Sequence, residues 1–160
     1  MESAPDDDDR SRRRQRFVEQ IGLLFESLHL PRMTGRVFAA LLIGPAVGLT
    51  AGELAARLEA SKGSMSSSTR LLEQNGLIER HVLPPDRRDR FVVSADAWTR
   101  FLRDRLVTIR TLHALAEEGL ALVEPSTDPR RLREVHDLYE FLENELPAVL
   151  ARWEEVRGRD

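Results

Sequence analysis

The chain has no cysteine. That excludes disulfides, thiol redox sensing and thiolate metal sites together. Aromatic residues are scarce: six Phe, two Trp and one Tyr, spread along the chain. A cage for a quaternary ammonium needs several rings close together, so none is expected. No apolar run reaches 18 residues and no secretory leader is visible, which points to a soluble, cytoplasmic chain with no membrane partner. The glycine patterns of phosphate loops, dinucleotide sites and serine nucleophiles are missing. His29, His81, His113 and His136 are scattered. His136 and Glu140 share a helix face at i, i+4, but no further ligand is placed near them, so they read as a surface pair. No catalytic residue, metal site or cofactor is expected, and the chain does not read as an enzyme. Lysine is nearly missing too: Lys62 stands alone beside 23 arginines.

What is present is a device between residues 50 and 94. Thr50-Ala51-Gly52-Glu53 is a Thr-x-x-Glu capping box opening a short helix, with Leu54, Ala55 and Leu58 on its apolar face. That helix ends near Ala60. Ser61 suits the N-cap of a second helix from Lys62 to about Asn75, and Gly76 suits its C′ position. Leu77 to Leu83 reads as a strand, Pro84 to Asp89 as a charged turn, and Arg90-Phe91-Val92-Val93 as the return strand. Helix, turn, helix and a hairpin with a basic tip make a winged helix-turn-helix, whose second helix enters the DNA major groove.

The second helix has two faces. Met65, Thr69 and Leu72 fall at i, i+4 and i+7, a stripe for the core. The opposite side carries Lys62, Gly63, Ser64, Ser66, Ser67 and Arg70, with Ser61 at the cap. Small side chains let the backbone approach base edges, and hydroxyls contact bases and phosphates without strong base preference. Lys62 lies in the first turn, where a phosphate also meets the helix N-terminus. The competing reading of Ser64 to Ser68 is a flexible serine-rich loop, which the capped, leucine-rich end of the segment opposes. At the wing tip, Arg87, Arg88 and Arg90 lie within four residues, suited to a narrow minor groove or to phosphates. Strand alternation sets Arg88 and Arg90 on one side and Arg87 on the other. Asp86 and Asp89 are expected to orient these arginines.

The net charge of −3 is unusual for a DNA binder, but its distribution is not. Residues 31 to 94 hold nine Lys/Arg against six Asp/Glu, a net of +3, which leaves −6 elsewhere. A basic reading head on an otherwise acidic chain suits groove binding. The two competing functions are a winged-helix protein-interaction module, which needs no basic wing, and a small helical ligand-binding protein without DNA binding.

The remainder reads as helix. Residues 1–14, acidic and then basic with nothing apolar to bury, are assigned to a disordered tail. Its arginines are either a DNA-contacting arm or solvated charge partly neutralised by the neighbouring aspartates. Helices follow at about Arg16 to Leu28 and, after Pro31, at Arg32 to Ile43, closed by Gly44-Pro45. Val47-Gly48-Leu49 is a candidate third strand. Two long helices come after the wing, about Ala95 to Val123 and Pro129 to Arg157. In the second, Leu132, Val135, Leu138, Leu142, Leu146, Val149, Trp153 and Val156 form a 3-4 repeat, a seam for another helix. Pro147 should kink it. Homodimerisation is the natural use of that seam; an intramolecular hairpin is the alternative. The fold class is thus mainly α with a small β-hairpin wing. A head spans 15–94, and a long helical dimerisation region spans 95–160.

The run Ser61-Lys62-Gly63 … Ser66 … Arg70 … Leu72-Glu73-x-x-Gly76-Leu77-Ile78-x-Arg80, followed by Asp86-Arg87-Arg88-Asp89-Arg90, resembles the MarR-type transcriptional regulators, and looks closest to their GbsR-like branch. Phe17 to Leu23 and Leu30 to Val37 fit that branch as well. The resemblance implies a homodimeric winged-helix repressor or activator on a pseudo-palindromic double-stranded operator, with repression the expected sign. It also implies DNA affinity that responds to a small-molecule effector held between the head and the long helices. Phe25, Trp98, Phe101 and His113 are the candidate lining there, although all four also fit apolar helix faces. Two positions depart from the pattern. Ser67 stands where many such recognition helices carry arginine, which moves the main base contact to Arg70 or Lys62. Arg90-Phe91 stands where the branch often has a tyrosine pair.

Overall fold

A computed structural model describes residues 5–82 and 88–158. The chain falls into two compact units, Met1–Ala97 and Trp98–Asp160. The first unit holds α1 (Pro5–Ser27), α2 (Arg32–Leu42), β1 (Leu49–Thr50), α3 (Ala51–Leu58), α4 (Lys62–Gln74), β2 (Ile78–Val82) and β3 (Asp89–Val93). The second is made of α5 (Ala97–Leu122), which begins at the boundary, and α6 (Arg130–Arg157).

The caps act as the sequence implies. Thr50 Oγ1 accepts from the Glu53 N–H at 3.2 Å while the Glu53 carboxylate accepts from the Thr50 N–H at 2.7 Å, a complete capping box. Ser61 Oγ accepts from the Ser64 N–H, which starts α4. Gly76, at φ 64°, closes α4 and turns the chain into β2, with the Leu77 N–H donating to the Leu72 carbonyl. Two other closures use the left-handed region without glycine: His29 after α1 (φ 61°) and Glu59 after α3 (φ 51°). In each case the next N–H reaches back five residues, Leu30 to the Phe25 carbonyl and Ala60 to the Ala55 carbonyl. Holding a non-glycine residue there costs on the order of 1 kcal/mol. The tight turn between α3 and α4 is therefore maintained against local preference by the packing on both sides of it.

The three strands form one antiparallel sheet in the order β1-β3-β2. Leu49 pairs with Phe91 and Thr50 with Arg90; Arg80 also faces Phe91 from the other side. The third strand expected near residues 47–49 is thus present as Leu49–Thr50. Gly48 (φ 79°) is required just before it, because a Cβ there would lie 2.4 Å from the Phe91 carbonyl oxygen.

The head's core is built by Val37, Phe38, Leu49, Leu54, Met65 and Leu72, all at most 1% exposed. α1 closes it by crossing α2 at close range. Gly35 makes this crossing possible: a Cβ at residue 35 would lie 2.6 Å from the Ile21 carbonyl oxygen and 2.8 Å from Phe25 Cβ. Phe25 is 2% exposed and stacks against Phe38, with ring centroids 5.7 Å apart.

One expectation needs correction. The segment assigned to a disordered tail is helical from Pro5, so residues 5–14 extend α1. The charges that argued for disorder support the helix at i, i+4: Arg12 pairs with Asp8 at 2.5 Å and Arg13 with Asp9 at 2.7 Å.

In the second unit, α5 and α6 run antiparallel. Leu132 meets Gly119 near the connection, His113 meets Glu143 further along, and Thr99 accepts from the Trp153 indole N–H at the far end. Arg103 pairs with Glu154 beside that end. The 3-4 repeat of α6 separates into two faces. Leu132, Leu142 and Leu146 are half-buried, whereas Val135, Leu138, Val149, Trp153 and Val156 are exposed. α6 runs unbroken through Pro147 and has no fully buried residue.

Substituting Gly35→Ala should force α1 off α2. We expect a loss of about 1–3 kcal/mol, read as a lower urea midpoint with an unchanged denaturant slope.

Candidate nucleic-acid interface

α4 presents one clean outer face. Met65, Ser68, Thr69 and Leu72 are buried. At 100° per residue, Gly63, Ser66, Ser67 and Arg70 fall on the opposite side and are exposed, whereas Lys62 lies near the angular position of Thr69 and is exposed because it sits in the first turn. Ser61 is also exposed at the cap, while Ser64 lies toward one flank and is partly covered. Gln74 continues the exposed face one turn beyond Arg70. It was missed in the sequence reading, although its i+4 spacing from Arg70 was the available signal. Thr69 Oγ1 donates to the Met65 carbonyl at 2.9 Å, so its hydroxyl is occupied within the helix.

A concave notch of about 350 Å³ joins this face to the sheet, lined by Gly52, Lys62, Ser66, Arg70, Arg80 and Phe91. Arg80 defines its wall. Its Nε and Nη2 donate to the two Glu73 carboxylate oxygens at 3.0 Å each, and Nη1 donates to Asp89 at 3.0 Å. The guanidinium also lies 5.4 Å from the Phe91 ring centroid. Hydrogen bonding and charge from Glu73, then Asp89, raise its pKa above the ordinary arginine value. Arg80 therefore fastens the last turn of α4 to both wing strands.

The expected wing arginines divide. Arg87, with Asp86 and the rest of 83–87, lies outside the described residues. Arg88 is exposed immediately before β3. Arg90 is largely covered, although with Arg88 it lowers the pKa of Glu53. Only 18% of its side chain is accessible, and its Nη1 donates to the Gly48 carbonyl at 3.0 Å and to Glu53 at 3.4 Å. Its register against Thr50 explains this: the strand directs Arg90 toward the start of α3. Arg90 holds the sheet to the helix and does not extend the basic tip. Asp89 pairs with Arg80 at 3.0 Å.

The four aromatic and histidine residues expected to line an effector pocket are distributed over both units. Phe25 is in the head's core. In the second unit, Trp98 packs edge-on against Phe101 at 5.9 Å, and the Arg105 guanidinium stands 4.7 Å from the Phe101 ring centroid. His113 is engaged by Glu143. A cavity of about 450 Å³ does exist inside the head, between α1, α2 and the end of α3. Arg14, Arg36 and Arg57 line it together with Glu19 and Glu59, over an apolar floor that includes Val18, Ala40 and Leu58, and Arg36 pairs with Glu19 at 2.8 Å. Arg36 also donates to the Leu58 carbonyl at 3.3 Å, where α3 ends. Among the described residues, no helix is long and apolar enough to cross a membrane.

Comparison with known proteins agrees with this arrangement. Residues 30–89 match the MarR family, and residues 96–156 match the family described as MmpR5-like MarR family transcriptional regulators. Neither match names the GbsR-like branch. The chain is 38% identical over 146 residues to the HTH-type transcriptional regulator MmpR5 of Mycobacterium tuberculosis, covering 90% of this chain and 88% of that protein. It is also similar to the crystal structure of a transcriptional regulator with 36% identity and a TM-score of 0.71, covering 89% of this chain and 98% of that one.

The Glu53 carboxyl is held below its ordinary value of 4.5, chiefly by the Thr50 N–H, with the Arg90 and Arg88 charges assisting. A lowered folded-state pKa stabilises the fold above the unfolded value and loses that contribution as pH falls through the folded one. The stability gap between wild type and Glu53→Ala should therefore be full above pH 4.5 and close below it. Denaturant titrations of both proteins across that range give the check.

Proposed function

The chain belongs to the MarR family of DNA-binding transcriptional regulators, and from that premise we propose that it acts in the cytoplasm as a homodimeric repressor on a pseudo-palindromic operator. The observation that carries the mode of binding is the exposed face of α4, with Gly63, Ser66, Ser67 and Arg70 opposite the buried stripe and Lys62 exposed in the first turn. α4 lies in the major groove. Gly63 and the serines let it approach closely, Arg70 reaches a base edge, and Lys62 meets a phosphate at the helix N-terminus. Arg88 brings the wing to the backbone or the minor groove. Arg90 is left out of this contact set, because its charge is spent on Glu53 and Gly48.

The exposed stripe of α6, Val135, Leu138, Val149, Trp153 and Val156, is the surface a second copy covers. Two-fold symmetry then sets two copies of α4 about one DNA turn, roughly 34 Å, apart. A small amphipathic molecule in the head's cavity would gate binding, since the cavity wall includes the end of α3, immediately before the turn into α4. Such a ligand shifts the equilibrium only by its differential affinity for the two arrangements.

Arg70→Ala and Arg88→Ala should each weaken operator binding while leaving the dimer folded. Loss of a phosphate contact should reduce the salt slope by about one unit, and loss of a base contact should relax sequence preference. Gel shifts at several salt concentrations distinguish the two. If both variants keep wild-type affinity and slope, the assignment fails.

Trp153→Asp together with Val149→Asp should convert the dimer to monomers in analytical ultracentrifugation and abolish tight operator binding. A monomeric double variant with full affinity would overturn the two-fold arrangement.

A further inference from the structure

Each nitrogen of the Arg36 guanidinium, on α2, has a partner. Nε lies 2.8 Å from a Glu19 carboxylate oxygen on α1. Nη2 donates to the Leu58 carbonyl in the last turn of α3 at 3.3 Å. Nη1 reaches the Met33 sulfur at 3.8 Å. The side chain is 23% accessible. α1 passes directly over its stem because residue 22 is glycine: a Cβ there would lie 2.9 Å from Arg36 Cγ. One planar group on α2 thus joins the helix before it in the chain to the helix after it.

The Leu58 carbonyl belongs to the end of α3, where carbonyls have no later turn of the helix to bond. The Glu59 and Ala60 N–H groups both turn back to Ala55. An arginine suits the vacancy, since its charge meets the negative end of the helix. α3 has only eight residues, too few to be stable by itself. Glu59, Ala60 and Ser61 then lead straight into α4, so the direction of the last turn of α3 sets the direction in which α4 leaves. Arg70 lies about 12 Å along α4 from Lys62 at about 1.5 Å per residue. A tilt of about 5° at the start of α4 moves Arg70 by about 1 Å, twice the roughly 0.5 Å range over which a hydrogen bond to a base edge holds. Phosphate contacts carry no sequence information, and their electrostatic attraction survives such a tilt.

We propose that Arg36 is a positioning residue for sequence reading. By capping α3 from α2, with Glu19 holding the guanidinium in place, it fixes the angle at which α4 meets base edges. This rests on the reading of α4 as the recognition helix and adds to it a determinant of sequence discrimination that lies on α2.

The test uses the full chain and two probes: the duplex that wild type enriches from a random-sequence pool, and a shuffled duplex of the same composition. Arg36→Met keeps the stem and removes the donors. It should weaken binding to the enriched duplex at least about tenfold, leave the shuffled duplex within about twofold, and leave the salt slope unchanged. Arg32→Gln, which removes the other cation on Glu19 but not the cap, should match wild type on both probes. Glu59→Gly relieves the left-handed residue and should raise the melting temperature of Arg36→Met without restoring its discrimination. Should Arg36→Met fail to fold, as judged by circular dichroism, Glu19→Gln gives the second route, with the same loss of discrimination at an unchanged slope. The proposal is overturned if both duplexes weaken equally, if the slope falls by about one unit as for a phosphate contact, or if Glu59→Gly restores discrimination together with stability. Failure of wild type to enrich any duplex, or of Arg70→Ala to weaken binding, overturns instead the recognition-helix reading beneath it.

Discussion

Arg80 sets the geometry on which DNA reading depends. Its backbone belongs to β2, its fork grips Glu73 in the last turn of α4, and its remaining nitrogen holds Asp89 at the start of β3. About half of the Arg80 side chain is accessible, and such pairs contribute at most about 1 kcal/mol each. Their importance is therefore orientation rather than stability. A recognition helix and a wing must reach adjacent grooves at a fixed spacing, and a planar bidentate contact fixes an angle better than a point charge would. On the opposite side of β3, Arg90 does the same for the start of α3 through Gly48 and Glu53. Two arginines are thus committed to holding the reading head.

Much of the head was legible because its signals are local. A capping box, an N-cap serine and a C′ glycine each act within four residues, so Thr50, Ser61 and Gly76 mark α3 and α4 without any tertiary information. The two faces of α4 follow from helical period alone. The bonds of Arg90 to Gly48 and Glu53 were not legible, because those partners are about forty residues away, across a pairing that depends on the register of β1 against β3. Strand alternation says which side a residue takes, but not what waits there. The start of α1 was missed for a different reason: composition indicated a solvated tail, whereas Asp8, Asp9, Arg12 and Arg13 are spaced to support one another along a helix. Phe25 illustrates the general ambiguity of aromatics, which fit a pocket and a core equally well until Gly35 brings α2 close.

The second unit was legible as an apolar period and not as a distribution of faces. A 3-4 repeat specifies that a helix has a partner but not how many. Leu132 and Leu146 turn toward the interior of the unit, while Val149 and Trp153 stay outside. Polar pairs complete the α5–α6 pairing: Thr99 with Trp153, Arg103 with Glu154 and His113 with Glu143.

The near-total replacement of lysine by arginine has a practical corollary. Apart from a terminal amine, Lys62 is the sole primary amine in the chain, and it is exposed in the first turn of α4. Acylating or aldehyde reagents that spare guanidinium groups therefore have one side-chain target, located where the phosphate backbone is expected. Bound DNA would shield that amine, so a single labelling stoichiometry reports occupancy of the reading face directly. Conversely, neutralising that one charge alters the exposed first turn of α4 and no other part of the molecule.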